Sequence, residues 1–126
     1  MGKKILVADD ELPILNLVAE TLQMNGYDVL IASEGYKALS MALTEKPDLI
    51  IMDVKMPAGG GISTYDNIRN NQRSALTSST PIIFITAHVS EELVKKVQGG
   101  VAVDYLAKPF SIGDLLAKIK KMLKEE

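Results

Sequence analysis

Pro47-Asp48-Leu49-Ile50-Ile51-Met52-Asp53-Val54-Lys55-Met56-Pro57 is the stretch whose reading decides the fold. Leu49 to Met52 shows no polar alternation. It reads as a strand buried on both faces, which a parallel sheet covered by helices provides. The run ends on Asp53, at the strand end where open α/β sheets carry their sites. Asp53 equally suits the start of an ordinary loop, because Asp is common in turns. The rest of the chain bears on that choice.

Working outward, the same pattern returns. Ile5-Leu6-Val7-Ala8 is an apolar run ending on Asp9, Asp10 and Glu11. Pro13 fits the first turn of a following helix with Leu15, Val18 and Leu22 as its stripe. Asn25-Gly26 ends it, with Gly26 as a left-handed cap. Residues 28–32 predict a strand, and Ser33 predicts a cap for a helix running to about Glu45, with Ala38, Leu39 and Ala42 inward. After the central strand, Gly59-Gly60-Gly61 predicts a tight turn with positive φ. It is no Walker loop, since no Gly-Lys-Ser/Thr follows.

A helix over 62–72 has sparse apolar positions, Ile62, Tyr65 and Ile68, and 73–80 reads as a polar loop. Residues 81–85 predict a strand ending at Thr86. Ser90 caps a helix over about 91–97 with Leu93, Val94 and Val97 inward, broken by Gly99-Gly100. A last strand over 101–106 leads to Lys108-Pro109-Phe110. Ser111 then caps a helix striped by Ile112, Leu115, Leu116, Ile119 and Leu123. Strand and helix alternate five times, which predicts a doubly wound α/β sheet. Right-handed crossovers point every strand the same way. Asp9, Asp10, Asp53, Thr86 and Lys108, all at strand ends, should therefore converge.

The length of 126 residues fits one domain over 1–126, and 47% hydrophobic residues argue against disorder. The net charge is -2 with Lys and Arg dispersed, so no basic block suggests nucleic-acid binding. The chain has no cysteine, which excludes disulfides, thiol catalysis and cysteine zinc sites and fits a cytoplasmic setting. No apolar run is long enough to span a membrane, and the residues before the first strand are too few for a signal peptide.

Five segments together resemble the receiver domain of two-component response regulators. They are Ile5-Leu6-Val7-Ala8-Asp9-Asp10-Glu11, Pro47 to Asp53, Met56-Pro57, Ile85-Thr86-Ala87 and Tyr105-Leu106-Ala107-Lys108-Pro109-Phe110. The resemblance runs from about Lys3 to Leu123. It implies a flavodoxin-like five-stranded parallel sheet, order 2-1-3-4-5, with five helices. It implies a phosphoacceptor signalling protein with no conventional enzyme substrate. Asp53 would take a phosphoryl group from a histidine kinase or a histidine phosphotransfer protein. Mg²⁺, with Mn²⁺ as a substitute, would be held by Asp9, Asp10, Asp53 and the backbone carbonyl of Lys55.

The resemblance also assigns Thr86, the Ala87 N–H and Lys108 to the phosphoryl oxygens. Thr86 and Tyr105 would form the switch, and Pro109 would set loop geometry through a cis peptide bond. Residues 90–124, holding the fourth helix, fifth strand and fifth helix, would meet a downstream protein target. Lys55 and His88 stand at positions that influence how water reaches an aspartyl phosphate. They would tune its lifetime, in a pH-dependent way through His88.

Each residue has a plainer reading. Asp9 and Asp10 suit a helix N-terminus without any metal. Lys108 suits a solvated loop, His88 an exposed one, and Tyr105 a half-buried strand. The lysines of the last helix suit a solvated face. Gly60 departs from the Asp that family members commonly carry there, and Val101 from a glycine. Two other classes compete: a receiver-like interaction module without phosphorylation, and a flavodoxin-like flavin carrier. Asp10, Asp53, Thr86 and Lys108 argue against the first. Asp9-Asp10-Glu11 would repel a flavin phosphate and argue against the second.

Overall fold

The computed structural model describes residues 2–70 and 79–125. The strands are β1 (Lys4–Ala8), β2 (Asp28–Ala32), β3 (Leu49–Asp53), β4 (Ile82–Thr86) and β5 (Val103–Ala107). The helices among the described residues are α1 (Leu12–Met24), α2 (Gly35–Glu45), α3 (Gly61–Arg69), α4 (Glu91–Gly99) and α5 (Ile112–Leu123). The strands form one parallel sheet in the order β2-β1-β3-β4-β5. This is the order and the helix count that the resemblance implied.

Of the three central strands, β3 and β4 are buried throughout and β1 from Ile5 onward, because each lies between two neighbours and under helices on both faces. Successive side chains point to opposite faces. Ile5, Val7, Leu49, Ile51, Ile83 and Ile85 meet α1 and α5 through Leu15, Val18, Leu22, Leu115 and Ile119. Leu6, Ala8, Ile50, Met52, Ile82 and Phe84 meet α2, α3 and α4 through Ala38, Ala42, Tyr65, Ile68 and Leu93. β2 is an edge strand, so Ile31 stays 45% exposed.

Several local expectations shift. Ser33 does not cap α2; Glu34 holds that position, with no side-chain bond. The turn after β3 has its positive φ at Ala58 and Gly59, not at Gly60 or Gly61. Gly61 is required by proximity instead, since a Cβ there would overlap the Asp53 carbonyl. The strand expected over 101–106 begins later, at Val103, because Ala102 turns the chain with φ 53°. Val94 is only half-buried. The helix expected over 62–72 ends at Arg69, and its positions 71–72 lie outside the described residues. So does the expected loop over 73–80, except for its last two residues.

Candidate phosphoryl and metal site

Strand register brings the site together. Ala8 pairs with Met52, so the next residues along, Asp9 and Asp53, leave the sheet side by side. Asp53 in turn pairs with Ile85, one residue before Thr86, and Thr86 pairs with Ala107, one residue before Lys108. Four apolar strands thus deliver two carboxylates, a hydroxyl and an ammonium to one edge. Their burial follows from their place at the ends of buried strands: Asp9 is 0%, Asp53 5% and Thr86 2% exposed.

Lys108 Nζ is the centre of the charge cluster. It lies 2.8 Å from Asp9 Oδ2, 2.9 Å from Glu11 Oε1 and 3.0 Å from Asp53 Oδ2. The main chain of Lys108 is fixed by its N–H, which donates to the Thr86 carbonyl at 2.7 Å, and the Lys108–Pro109 peptide is cis. Phe110 packs against the core on the α1/α5 side. Asp9 Oδ1 accepts from the Glu11 N–H at 2.8 Å, and Asp53 Oδ1 accepts from the Lys55 N–H at 3.2 Å.

Burial pushes the Asp53 carboxyl above the usual carboxylate range. Lys108 and the Lys55 N–H pull it down, and the neighbouring Asp9 charge adds to the rise. For Lys108, burial alone would lower the ammonium's pKa. The three carboxylates around it outweigh that and hold it above the ordinary lysine value.

Asp9, Asp10 and Asp53 each offer a carboxylate oxygen, and these oxygens lie within 4.8 Å of one another. Asp10 is exposed and reaches the cluster from the solvent side. An all-oxygen set of this kind suits Mg²⁺, which retains water and takes only a few protein ligands. A second observation agrees. Asp9 is fully buried, and the Lys108 ammonium that its Oδ2 faces at 2.8 Å is shared with Glu11 and Asp53, so the carboxylates outnumber the cation among them. The residues present therefore fit a hard divalent cation.

A crevice of about 310 Å³ opens over these groups, lined among others by Asp10, Asp53, Lys55, Thr86, Ala87 and His88. The Thr86 hydroxyl donates to the His88 carbonyl at 3.0 Å and accepts from the His88 N–H at 3.1 Å, so it is turned into its own loop. The His88 and Lys55 side chains are exposed at the rim. Tyr105 is half-buried on the α2/α3/α4 side of the sheet. The sequence reading gave Glu11 no role. Its pairing with Lys108 makes it part of the cluster, and the one signal was its place as third acid in the run Asp9-Asp10-Glu11.

Comparison with known proteins agrees with this geometry. Residues 5–120 match the family model of the response regulator receiver domain. The alkaline phosphatase synthesis transcriptional regulatory protein PhoP of Bacillus subtilis is 42% identical, over 98% of this chain and 50% of the relative. The phosphate regulon transcriptional regulatory protein PhoB of Pseudomonas aeruginosa is 40% identical, over 98% and 53%. The chain thus spans about half the length of these relatives.

Among solved structures, the chemotaxis response regulator CheY4 of Vibrio cholerae superposes with a TM-score of 0.84 at 32% identity, covering 97% of this chain and 99% of that one. The receiver domain of the Pseudomonas aeruginosa sensor histidine kinase PA1611, with magnesium coordinated in its active-site cleft, gives 0.86 at 28% identity, covering 99% and 100%. A family match that begins in β1, takes in all five strands and ends inside α5 leaves one conclusion: the chain belongs to the response regulator receiver domain family.

Proposed function

We propose that this chain is a phosphoacceptor switch in which Asp53 receives a phosphoryl group from a phosphohistidine on a histidine kinase or phosphotransfer protein. One observation carries the reading. A buried carboxylate at the end of β3 shares an ammonium with Asp9, lies within metal-ligating reach of Asp9 and Asp10, and faces an open crevice. In the transfer, an Asp53 oxygen forms a bond to phosphorus in line with the breaking phosphorus–nitrogen bond. The donor imidazole leaves as the aspartyl phosphate forms.

Mg²⁺, when bound, neutralises the cluster's excess negative charge and the phosphoryl oxygens. Asp9, Asp10, Asp53 and the Lys55 carbonyl would hold it. Lys108, already placed at Asp53 Oδ2, bonds the incoming phosphoryl oxygens, and the Ala87 N–H adds a donor. Thr86 must leave its two bonds with the His88 main chain to do the same. That is the local event we assign to switching, with Tyr105, on the same face of the sheet as Thr86, responding beside it.

The face made by residues 90–124 is the surface we assign to the downstream protein. The domain itself makes no direct contact with nucleic acid in this reading. Among the described residues no helix is long and apolar enough to cross a membrane. The cysteine-free composition supports a cytoplasmic setting. Lys55 and His88, at the rim, govern how water reaches the aspartyl phosphate. A pH series of dephosphorylation tests this for His88: wild type and His88→Ala should diverge, and parallel profiles would remove His88 from the account.

The deciding experiment is incubation with Mg²⁺ and a small acyl phosphate, followed by intact-mass measurement. A single phosphoryl adduct is expected in wild type and none in Asp53→Ala. Absence of any adduct with every divalent cation tried would favour a receiver-like interaction module instead.

A further inference from the structure

We infer that Gly35, the first residue of α2, is a positioning residue for the metal-binding loop, acting through a backbone clamp on residues 57–59. The inference rests on the reading above that the Lys55 carbonyl and the acid cluster hold Mg²⁺.

The loop between β3 and α3 has little to hold it in place from within. Its ends are fixed where the Val54 N–H donates to Ile85 and the Gly61 N–H donates to Val54, at 3.2 and 2.8 Å. In between, Ala58 and Gly59 take φ of 52° and 105°. For Ala58, a residue with a Cβ, the left-handed region costs about 1 kcal/mol. Gly60, at the N-cap of α3, brings no side-chain cap that could tie the loop to that helix.

Helix α2 supplies the missing hold. The Gly35 N–H donates to the Pro57 carbonyl at 3.1 Å, and the Tyr36 N–H donates to the Ala58 carbonyl at 2.9 Å. These are first-turn donors that have no partner inside their own helix. They take up the carbonyls of the strained loop. The approach is close enough that a Cβ on Gly35 would overlap the Gly59 carbonyl, a backbone group with nowhere flexible to retreat.

Glycine is not needed there for its backbone angles, since Gly35 is absent from the positive-φ residues. It is also a poor helix former, by about 1 kcal/mol against alanine in a helix interior. What it provides is the contact itself. Moving the Gly59 carbonyl outward moves Ala58 and Pro57 with it, and these lead directly to Lys55. The Lys55 N–H already holds Asp53 Oδ1. Gly35 thereby sets where the Lys55 peptide lies relative to the nucleophile.

The test is Mg²⁺ affinity by calorimetry, with amide exchange of the loop followed in metal-free protein. Loss of a group that orients metal ligands typically weakens binding about 10- to 100-fold. Gly35→Ala should weaken Mg²⁺ binding about tenfold on that scale. It should also speed exchange of the loop amides from Lys55 to Gly60.

Two controls separate this from lost stability. Gly113→Ala replaces a helical glycine where a Cβ would meet only Ser111 Oγ, at an ordinary contact distance of 3.9 Å. Arg69→Ala removes contacts far from the loop. Both should bind Mg²⁺ as wild type does. Should Gly35→Ala fail to fold, Tyr36→Pro removes the second clamp donor at a first-turn position that tolerates proline, and the same loss is expected. Wild-type affinity in Gly35→Ala, or in Tyr36→Pro where that variant stands in, would overturn the proposal. Failure of wild type itself to bind Mg²⁺ would instead overturn the reading it rests on.

Discussion

At the edge where the strands begin, charged side chains are paired one or two at a time, although Arg69 Nε is buried without a hydrogen-bond partner among the described residues. At the edge where the strands end, three carboxylates share one ammonium and a fourth, Asp10, lies beside them. On the first edge, Arg69 donates to the Thr80 and Val101 carbonyls, each at 2.8 Å, and lies over the Tyr65 ring at 5.0 Å. The Lys4 N–H donates to Asp48 Oδ2 at 2.8 Å, and the Tyr27 hydroxyl donates to Glu125 Oε1 at 2.7 Å. On the second edge, Asp9, Glu11 and Asp53 surround Lys108, and Asp10 adds its charge beside Asp9 and Asp53. Unmatched charge in a buried place costs stability, and among the described residues the excess of buried carboxylates lies at the second edge. That edge is the one a divalent cation can complete.

The largest effect should come from removing the ammonium that those carboxylates share. Lys108→Ala leaves buried carboxylates uncompensated and should cost about 3–5 kcal/mol in metal-free protein. Mg²⁺ should then raise the melting temperature of the variant by more than it raises that of wild type. Equal metal-free stability of the two proteins in urea would mean that the two edges do not differ as described.

Next comes Arg69→Ala, which deletes charged donors to the carbonyls of buried Thr80 and exposed Val101 and should cost about 2 kcal/mol. Its signature is the reverse: stability falls and Mg²⁺ affinity does not. A coupled loss of Mg²⁺ affinity would show that the two edges are not independent.

Asp53→Asn should act in the opposite direction and raise metal-free stability at neutral pH. The sign follows from the raised Asp53 pKa. Between the unfolded carboxylate value and the higher native one, the native state binds more proton than the unfolded state does. Stability therefore falls as pH rises through that window. The asparagine variant lacks this fall, so its advantage over wild type should appear on going from acid to neutral pH. A urea midpoint difference that stays constant with pH would contradict it.

How much of this was legible in the residues depends on the range of the signal. The strands ending at Ala8, Asp53 and Thr86 were readable because apolar runs and their polar ends are local. Parallel register then brings Asp9, Asp53, Thr86 and Lys108 together without further information. Glu11 was readable only as charge, since its partner Lys108 lies at the far end of the chain. The pairing of Gly35 with Gly59 was hidden for the same reason: nothing near Gly35 announces that another backbone passes against it. The run of three glycines misled in detail. Left-handed φ fell on Ala58 and Gly59, because the clamp from α2 fixes the turn one residue earlier than glycine content suggests. Ser33 lost its cap to Glu34 by a one-residue shift, an error that local signals commonly leave.

The smallest effect belongs to the edge where the strands begin. Tyr27→Phe removes one hydrogen bond, to Glu125, and should cost about 1 kcal/mol at neutral pH. Burial, reinforced by the Glu125 carboxylate, pushes the Tyr27 phenol up to about 12. Its neutral form is therefore favoured in the native state, and that contribution is fully present below the ordinary tyrosine value near 10. It is lost as pH rises through the native value, because the unfolded phenol ionises first. The stability gap between wild type and Tyr27→Phe should hold at neutral pH and close between about pH 10 and 12. Tyrosinate absorbance followed in both proteins isolates the Tyr27 titration by difference. A gap that persists at the alkaline end would mean that the contact with Glu125 is not what holds the phenol neutral. It would also mean that the starting edge is less completely matched than its geometry implies.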